Sequence, residues 1–158
     1  MGTEENLTIP ELLVRMAKEF EGFYPAPYLC PAGYWTVGYG HLCRPDHPPV
    51  TEREATELLL DDLEAAVDAS LRLCPVLLAE REQRLAAVAD FAFNLGAGRL
   101  QMSTLRRRVN QRDWEEAARQ IRRWVWGGGR VLPGLVRRRE VEAALLLGIE
   151  PARTVRAA

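Results

Sequence analysis

No stretch of this 158-residue sequence approaches the roughly 18–20 consecutive apolar residues that a membrane-spanning helix needs, so stable membrane insertion is not expected. Lysine is nearly missing: of 21 basic side chains only Lys18 is not arginine. The three cysteines, Cys30, Cys43 and Cys74, form an odd set without a CxxC pair, which argues against a zinc site and against a disulfide framework. Net charge is also lacking, because 21 basic side chains meet 22 acidic ones for a balance of −1. That excludes a whole-protein electrostatic grip on nucleic acid. The opening MGTEENLTIPELL is acidic and polar where a secretion signal is basic and then apolar, so synthesis in a cytoplasm without a signal of its own is expected.

What is present is enough for one domain. A chain of this length buries roughly 70% of the surface its unfolded form exposes, and 47% hydrophobic with 27% charged residues fits neither a disordered nor a fibrous protein. The charge is unevenly spread. Residues 1–98 carry 7 basic and 16 acidic side chains, a balance of −9, and residues 99–158 carry 14 basic and 6 acidic, a balance of +8. Coding bias in a GC-rich genome accounts for the arginine; so does a cationic lobe facing a polyanion, since guanidinium groups bind phosphate and carboxylate well.

Thr8-Ile9-Pro10-Glu11 reads as a helix start, with Thr8 as N-cap and Pro10 in the first turn. Leu12, Leu13, Met16 and Phe20 follow at helical spacing, and Gly22 is a suitable stop. From Phe23 to Gly40 the texture turns to Tyr, Trp, Thr and Val punctuated by Pro and Gly, which predicts a small antiparallel sheet with a turn at Pro31-Ala32-Gly33. Thr51-Glu52-Arg53-Glu54 is a capping box opening a long amphipathic helix through Ala55, Leu58, Leu59, Leu63, Ala66, Val67 and Leu71, interrupted at Cys74-Pro75. Further helices are expected near 80–94, 103–110, 112–124 and 134–147, with breaks at Gly96-Ala97-Gly98 and Gly127-Gly128-Gly129.

Most carboxylates in these helices read as solvated faces. Glu21 differs: it follows Phe20, ends the first helix and enters a Gly/Tyr/Pro-rich turn, and a carboxyl partly desolvated among aromatic groups is suited to donating a proton. Glu21, then Cys30 and Thr36, then Val37-Gly38-Tyr39-Gly40-His41, resembles the catalytic signature of the phage lysozyme family of endolysins, glycoside hydrolase family 24. Phe91-Ala92-Phe93-Asn94-Leu95-Gly96 looks like that family's second cleft segment. Arg123-Trp124 and the run from Gly128 to Glu140 are similar to its C-terminal signature. The three blocks fall in family order over about residues 8–148.

The resemblance implies a mainly helical α+β fold of two lobes in a single lysozyme-like domain. A small hairpin lobe covers about residues 20–50, a long connecting helix about 51–73, and a helical lobe about 80–148 with the helix at 8–20 packed on it. It implies a muramidase that hydrolyses the β-1,4 bond between N-acetylmuramic acid and N-acetylglucosamine of peptidoglycan, lysing the host. Glu21 would be the general acid, and Cys30 and Thr36 would act on the opposite face of the sugar, where the departing group leaves an oxocarbenium-like centre. Cys30 stands where the family uses Asp and, in one branch, Cys; an ordinary thiol is mostly un-ionised at neutral pH, so either the local field favours the thiolate or Glu21 and Thr36 carry more of the work.

Asn94 would hold acetamido or hydroxyl groups of the substrate, or else cap the Gly96 turn. Trp35 and Phe93 would border the cleft, and Trp114, Trp124 and Trp126 read as core. His41 and Asp62 are expected to pair and tie the hairpin to the long helix, with His47 in a bland proline-rich loop. Arg138, within an arginine run that otherwise reads as a solvated face, would reach across the cleft toward the small lobe and position the lobes, since a guanidinium too close to Glu21 opposes its protonation. Oxidative pairing of Cys30 with Cys43 or Cys74 is conceivable, with plain thiols at Cys43 and Cys74 the simpler expectation. No metal or organic cofactor is called for. The expected partner is peptidoglycan, bound by a monomer whose basic half favours the anionic wall, that acts on the periplasmic wall after holin-mediated release from the host cytoplasm. A lytic transglycosylase and a non-catalytic cell-wall-binding protein are the alternatives.

Overall fold

The computed structural model describes residues 8–150. The acidic start of the chain, read above as unlike a secretion signal, lies largely in residues 1–7, outside the described residues.

Helix α1 spans Glu11–Glu21. Its N-cap is Pro10, with an extended backbone (φ −56°, ψ 130°) and no side-chain cap, so Thr8 lies two residues outside the helix rather than capping it. Proline's fixed φ suits this boundary, and Pro10 still accepts from Leu13 and Val14 through its carbonyl. Three strands follow, β1 (Tyr24–Leu29), β2 (Trp35–Gly38) and β3 (His41–Leu42), forming an antiparallel sheet with β2 in the centre. Tyr24 faces Gly38 and Tyr28 faces Thr36, with an irregularity between them where Pro25 and Pro27 have no N–H to donate.

The long helix α2, Glu52–Leu73, opens with the expected capping box: the Glu54 N–H donates to Thr51 Oγ1 at 3.1 Å and the Thr51 N–H to Glu54 Oε2 at 2.9 Å. A 3-10 turn at Pro75–Ala79 leads into α3 (Glu82–Leu95), α4 (Ala97–Met102), α5 (Thr104–Asn110), α6 (Trp114–Arg122), a two-strand ribbon of β4 (Trp126–Gly127) and β5 (Arg130–Val131), and α7 (Pro133–Leu146). Two of these were not foreseen. Ala97-Gly98 sits inside α4, because only Gly96, at φ +94°, breaks the chain there. The glycines at 127–129 make the turn of a ribbon, which puts Trp126 on a strand, 64% exposed, and not in the core.

Two apolar clusters share three helices. One joins the sheet to the first half of α2 through Val37, Tyr39, Leu59 and Leu63. The other fills the helical lobe around Phe91, Leu100, Leu105 and Ile121. In α1, Leu13 and Ala17 face the first cluster and Met16 the second, and α2 and α3 divide their apolar residues in the same way. These shared helices hold the sheet at a set distance from the helical lobe. No helix among the described residues is long and apolar enough to cross a membrane.

Candidate active site

Glu21 is the last residue of α1, and the chain turns at once through Gly22, whose φ of +71° is open to glycine. The side chain is about four-fifths buried, and Arg138 Nη1 donates to its Oε1 at 2.6 Å. The same guanidinium binds Asp90 on α3 in a bidentate grip, Nε to Oδ2 and Nη2 to Oδ1, both at 2.8 Å. Arg138 thus joins α7, α3 and the end of α1, and its guanidinium also lies 5.1 Å from the Phe20 ring centroid and 5.8 Å from that of Phe93. The arginine expected beside the site reaches Glu21 itself, closer to the acid than a lobe-positioning role asks. Arg138 and Arg139 are the buried members of the arginine run, and only Arg137 faces solvent.

Asp90 is fully buried. Burial pushes its carboxyl up, but the charge and hydrogen bonds of Arg138 outweigh that and hold it below the usual aspartate range. Next to it, Arg139 and Glu142 are also fully buried. Arg139 Nε lies 2.8 Å from Glu142 Oε2, a charge contact without hydrogen-bond alignment, since both atoms remain without an aligned partner. Burial, followed by the negative charge of Asp90, raises the Glu142 carboxyl well above its ordinary value, and the protonated acid is the form this pocket favours. None of Asp90, Arg139 and Glu142 stood out in the sequence. Their one signal was a charge inside an apolar stretch, Ala89-Asp90-Phe91 on α3 and Val141-Glu142-Ala143 on α7.

The other two candidates lie on the hairpin. Cys30 follows β1, where its N–H donates to the Tyr34 carbonyl at 2.9 Å and its own carbonyl accepts from Gly33 at 2.8 Å. Burial pushes the Cys30 thiol up, but hydrogen bonds from the surrounding backbone, Tyr34 and Ala32 foremost, leave it below the ordinary thiol value. Thr36 is buried, with Oγ1 donating to the Tyr34 carbonyl at 3.1 Å. Tyr28 connects the two walls: burial and then the charges of Tyr24, Glu21 and Cys30 raise its hydroxyl, so both Glu21 and Cys30 lie within electrostatic reach of one side chain.

Gly40 closes the arrangement. At φ +75° it adopts a conformation that side chains resist, and a Cβ there would stand 2.8 Å from Glu21 Oε2. It also lines a cavity of about 290 Å³ between sheet and helical lobe, with His41, Asp62, Ala66, Phe93 and Ala97 among the other walls. His41 Nδ1 lies 2.8 Å from Asp62 Oδ2, linking β3 to α2 as the sequence reading expected. Phe93 is partly buried on the cavity wall, and Trp35 is 38% exposed on β2. Asn94 neither caps the Gly96 turn nor stands free, for its Oδ1 accepts from Arg139 Nη2 at 2.6 Å.

A larger recess of about 600 Å³ lies elsewhere, between the α4–α5 junction and the α6–β4 segment, lined by Met102, Thr104, Gln120, Trp124 and Trp126. The smaller cavity is the better candidate, because ionisable groups border it and they do not border the larger one apart from Arg123. Cys30, Cys43 and Cys74 are all free thiols; burial raises Cys43 and takes Cys74 up to about 11. Among the described residues no three His, Cys, Asp or Glu side chains converge as metal ligands.

This arrangement has counterparts. An endolysin of Bacillus phage B103 is 34% identical over 145 residues, 89% of this chain, and the chain spans about half of that protein's length (54%). A SAR-endolysin of Bacteriophage PS119 is 37% identical over 130 residues, covering 80% of this chain and 76% of the relative. Among solved structures, the muramidase domain of SpmX from Asticcacaulis excentricus superposes with a TM-score of 0.78 at 33% identity, covering 89% of this chain and 97% of that one. An endolysin from Escherichia coli O157:H7 phage FAHEc1 gives the same TM-score of 0.78 at 26% identity, covering 93% and 98%. The fold is therefore lysozyme-like. With the sequence profile described as phage lysozyme matching residues 18–142, most of its length, the chain belongs to the phage lysozyme family.

Proposed function

We propose that the protein is a muramidase, an endolysin that hydrolyses the β-1,4 bond between N-acetylmuramic acid and N-acetylglucosamine of bacterial peptidoglycan. The observation that carries this reading is the setting of Glu21. Arg138 occupies Oε1, so a proton on this carboxyl belongs on Oε2, beside the space that Gly40 leaves empty at the cavity edge. An acid held by one oxygen, with the other beside the cavity-lining Gly40, is placed to protonate a glycosidic oxygen as the bond breaks. Cys30 and Thr36 then act on the far face of the sugar, where the lowered thiol helps to aim and activate the attacking water. Trp35, Phe93 and Asn94 take up the glycan, and the His41–Asp62 pair and Arg138 hold the walls in place. The net +8 of residues 99–158 favours an anionic wall.

This reading includes a single lysozyme-like domain acting as a monomer on the periplasmic wall, reached from the host cytoplasm through a holin. The test is clearance of outer-membrane-permeabilised Gram-negative cells by the wild type and by Glu21→Gln. The wild type is expected to clear them and to release reducing ends, and Glu21→Gln to lose roughly 10²–10⁴-fold in rate while remaining folded. A folded wild type that clears nothing overturns the reading, and 1,6-anhydro ends in the product would make the enzyme a transglycosylase.

A further inference from the structure

Tyr28 on β1 lies directly opposite Thr36 on β2, so the two side chains stand on the same face of the sheet. Thr36 in turn faces Leu42 of β3, and Leu42 lines the cavity. Cys30 is two positions beyond Tyr28, and its N–H to the Tyr34 carbonyl carries the ladder past Leu29, so it falls on that face as well. Thr36 also lies within hydrogen-bonding reach of Cys30. The Tyr28 ring is braced against Tyr24, with centroids 4.2 Å apart, but its hydroxyl is uncommitted. Among the described residues that hydroxyl has no hydrogen-bond partner, and it is not one of the buried polar atoms left without one, so it reaches solvent. Burial, and after it the charges of Tyr24, Glu21 and Cys30, keep it protonated. At neutral pH it therefore has a hydrogen to give.

Thr36 carries a hydroxyl of the opposite kind. Its one hydrogen goes to the Tyr34 carbonyl at 3.1 Å, so toward a ligand Oγ1 can only accept. A water molecule has two hydrogens to give and two lone pairs to receive with. Set among these three side chains, it gives one hydrogen to the Cys30 sulfur and one to Thr36 Oγ1, and it receives the Tyr28 hydrogen on one lone pair. A single lone pair is left over. We propose that Tyr28 is a third catalytic residue of the hairpin, whose hydroxyl holds the attacking water by one lone pair and leaves only the other to meet the anomeric carbon. The inference rests on the muramidase reading and deepens it by naming the residue that aims the water. In the step, the water oxygen bonds to the anomeric carbon as the glycosidic bond breaks. The leaving oxygen takes the Glu21 proton, a water proton passes to the Cys30 thiolate, and exchange with solvent resets both groups.

Tyr28→Phe is the test, because it keeps the ring against Tyr24 and removes only a hydroxyl that no described residue holds. On purified peptidoglycan, with reducing ends counted, kcat should fall roughly tenfold while KM and the melting temperature stay as in the wild type. That split marks an interaction made to the nucleophile and not to the bound glycan. The second readout is a double-mutant cycle with Cys30→Ser. Two groups that grip one water cannot lose it twice, so the double variant should be clearly less impaired than the product of the two single losses. An unchanged kcat, a change confined to KM, or losses that multiply in full would each overturn the proposal. A folded wild type that releases no reducing ends would instead overturn the muramidase reading, so the two failures are told apart.

Discussion

Cys30 and Thr36 stand on a hairpin whose turn is held by main-chain hydrogen bonds, whereas Glu21 and Asn94 are held from behind by two guanidiniums buried under α7. The hairpin wall draws its electrostatics from peptide dipoles that the turn supplies in any case, and its side chains sit near solvent or donate to a neighbouring carbonyl. The helical wall draws on full charges removed from water, and each is tolerable only while its partner stays. One wall therefore tolerates substitution, and the other is rigid because its failure is costly.

The largest expected contrast is in stability. Asp90→Asn keeps the shape of the side chain but leaves Arg138 buried with its charge half compensated, and a loss of about 3–5 kcal/mol in urea unfolding is expected. A loss below about 1 kcal/mol would mean that water reaches this pocket and that the two walls do not differ in kind. Next comes activity on the hairpin side. Cys30→Ser should fold with nearly wild-type stability and lose about tenfold in rate, roughly 1.4 kcal/mol of barrier; full activity in a turbidity assay would leave the thiol with no chemical part.

The smallest effect concerns pH. The Glu142 carboxyl is raised well above 4.5 in the folded chain, so its contribution to stability is complete below pH 4.5 and is lost as the pH rises toward the folded value. Asp90 runs the other way: lowered from 3.8, its contribution is present above that pH and is lost on acidification through the folded value. Glu142→Gln, neutral at every pH, should remove the first slope only. Its melting temperature should gain roughly 2–4 °C on the wild type between pH 5 and pH 8 for each 1 kcal/mol of that cost. Parallel curves for the two proteins would show that Glu142 is not the proton holder.

Sequence reasoning worked at most local signals, though not at Thr8, which lies outside α1. The Thr51 capping box, the stop at Gly22 and the Pro31-Ala32-Gly33 turn are settled within a few residues, and the structure has each of them. It failed at Trp126, where a helical spacing was extended past the helix end at Arg122. It placed Arg138 near the site but missed its burial and that of Arg139, since three arginines in a row look like a solvated face until Asp90, 48 residues before Arg138, is brought beneath them.

The order of apolar and turn residues along the chain is enough to dictate a hairpin, a long helix and a helical body, because capping, periodicity and backbone freedom act over a turn or two. Which charges meet is another matter. Glu21 and Arg138 are 117 positions apart, and only the packing of α1, α3 and α7 around shared apolar clusters brings them within 2.6 Å. Coulomb attraction does not choose partners along a sequence; a folded interior does, by removing the water that would otherwise satisfy each charge alone.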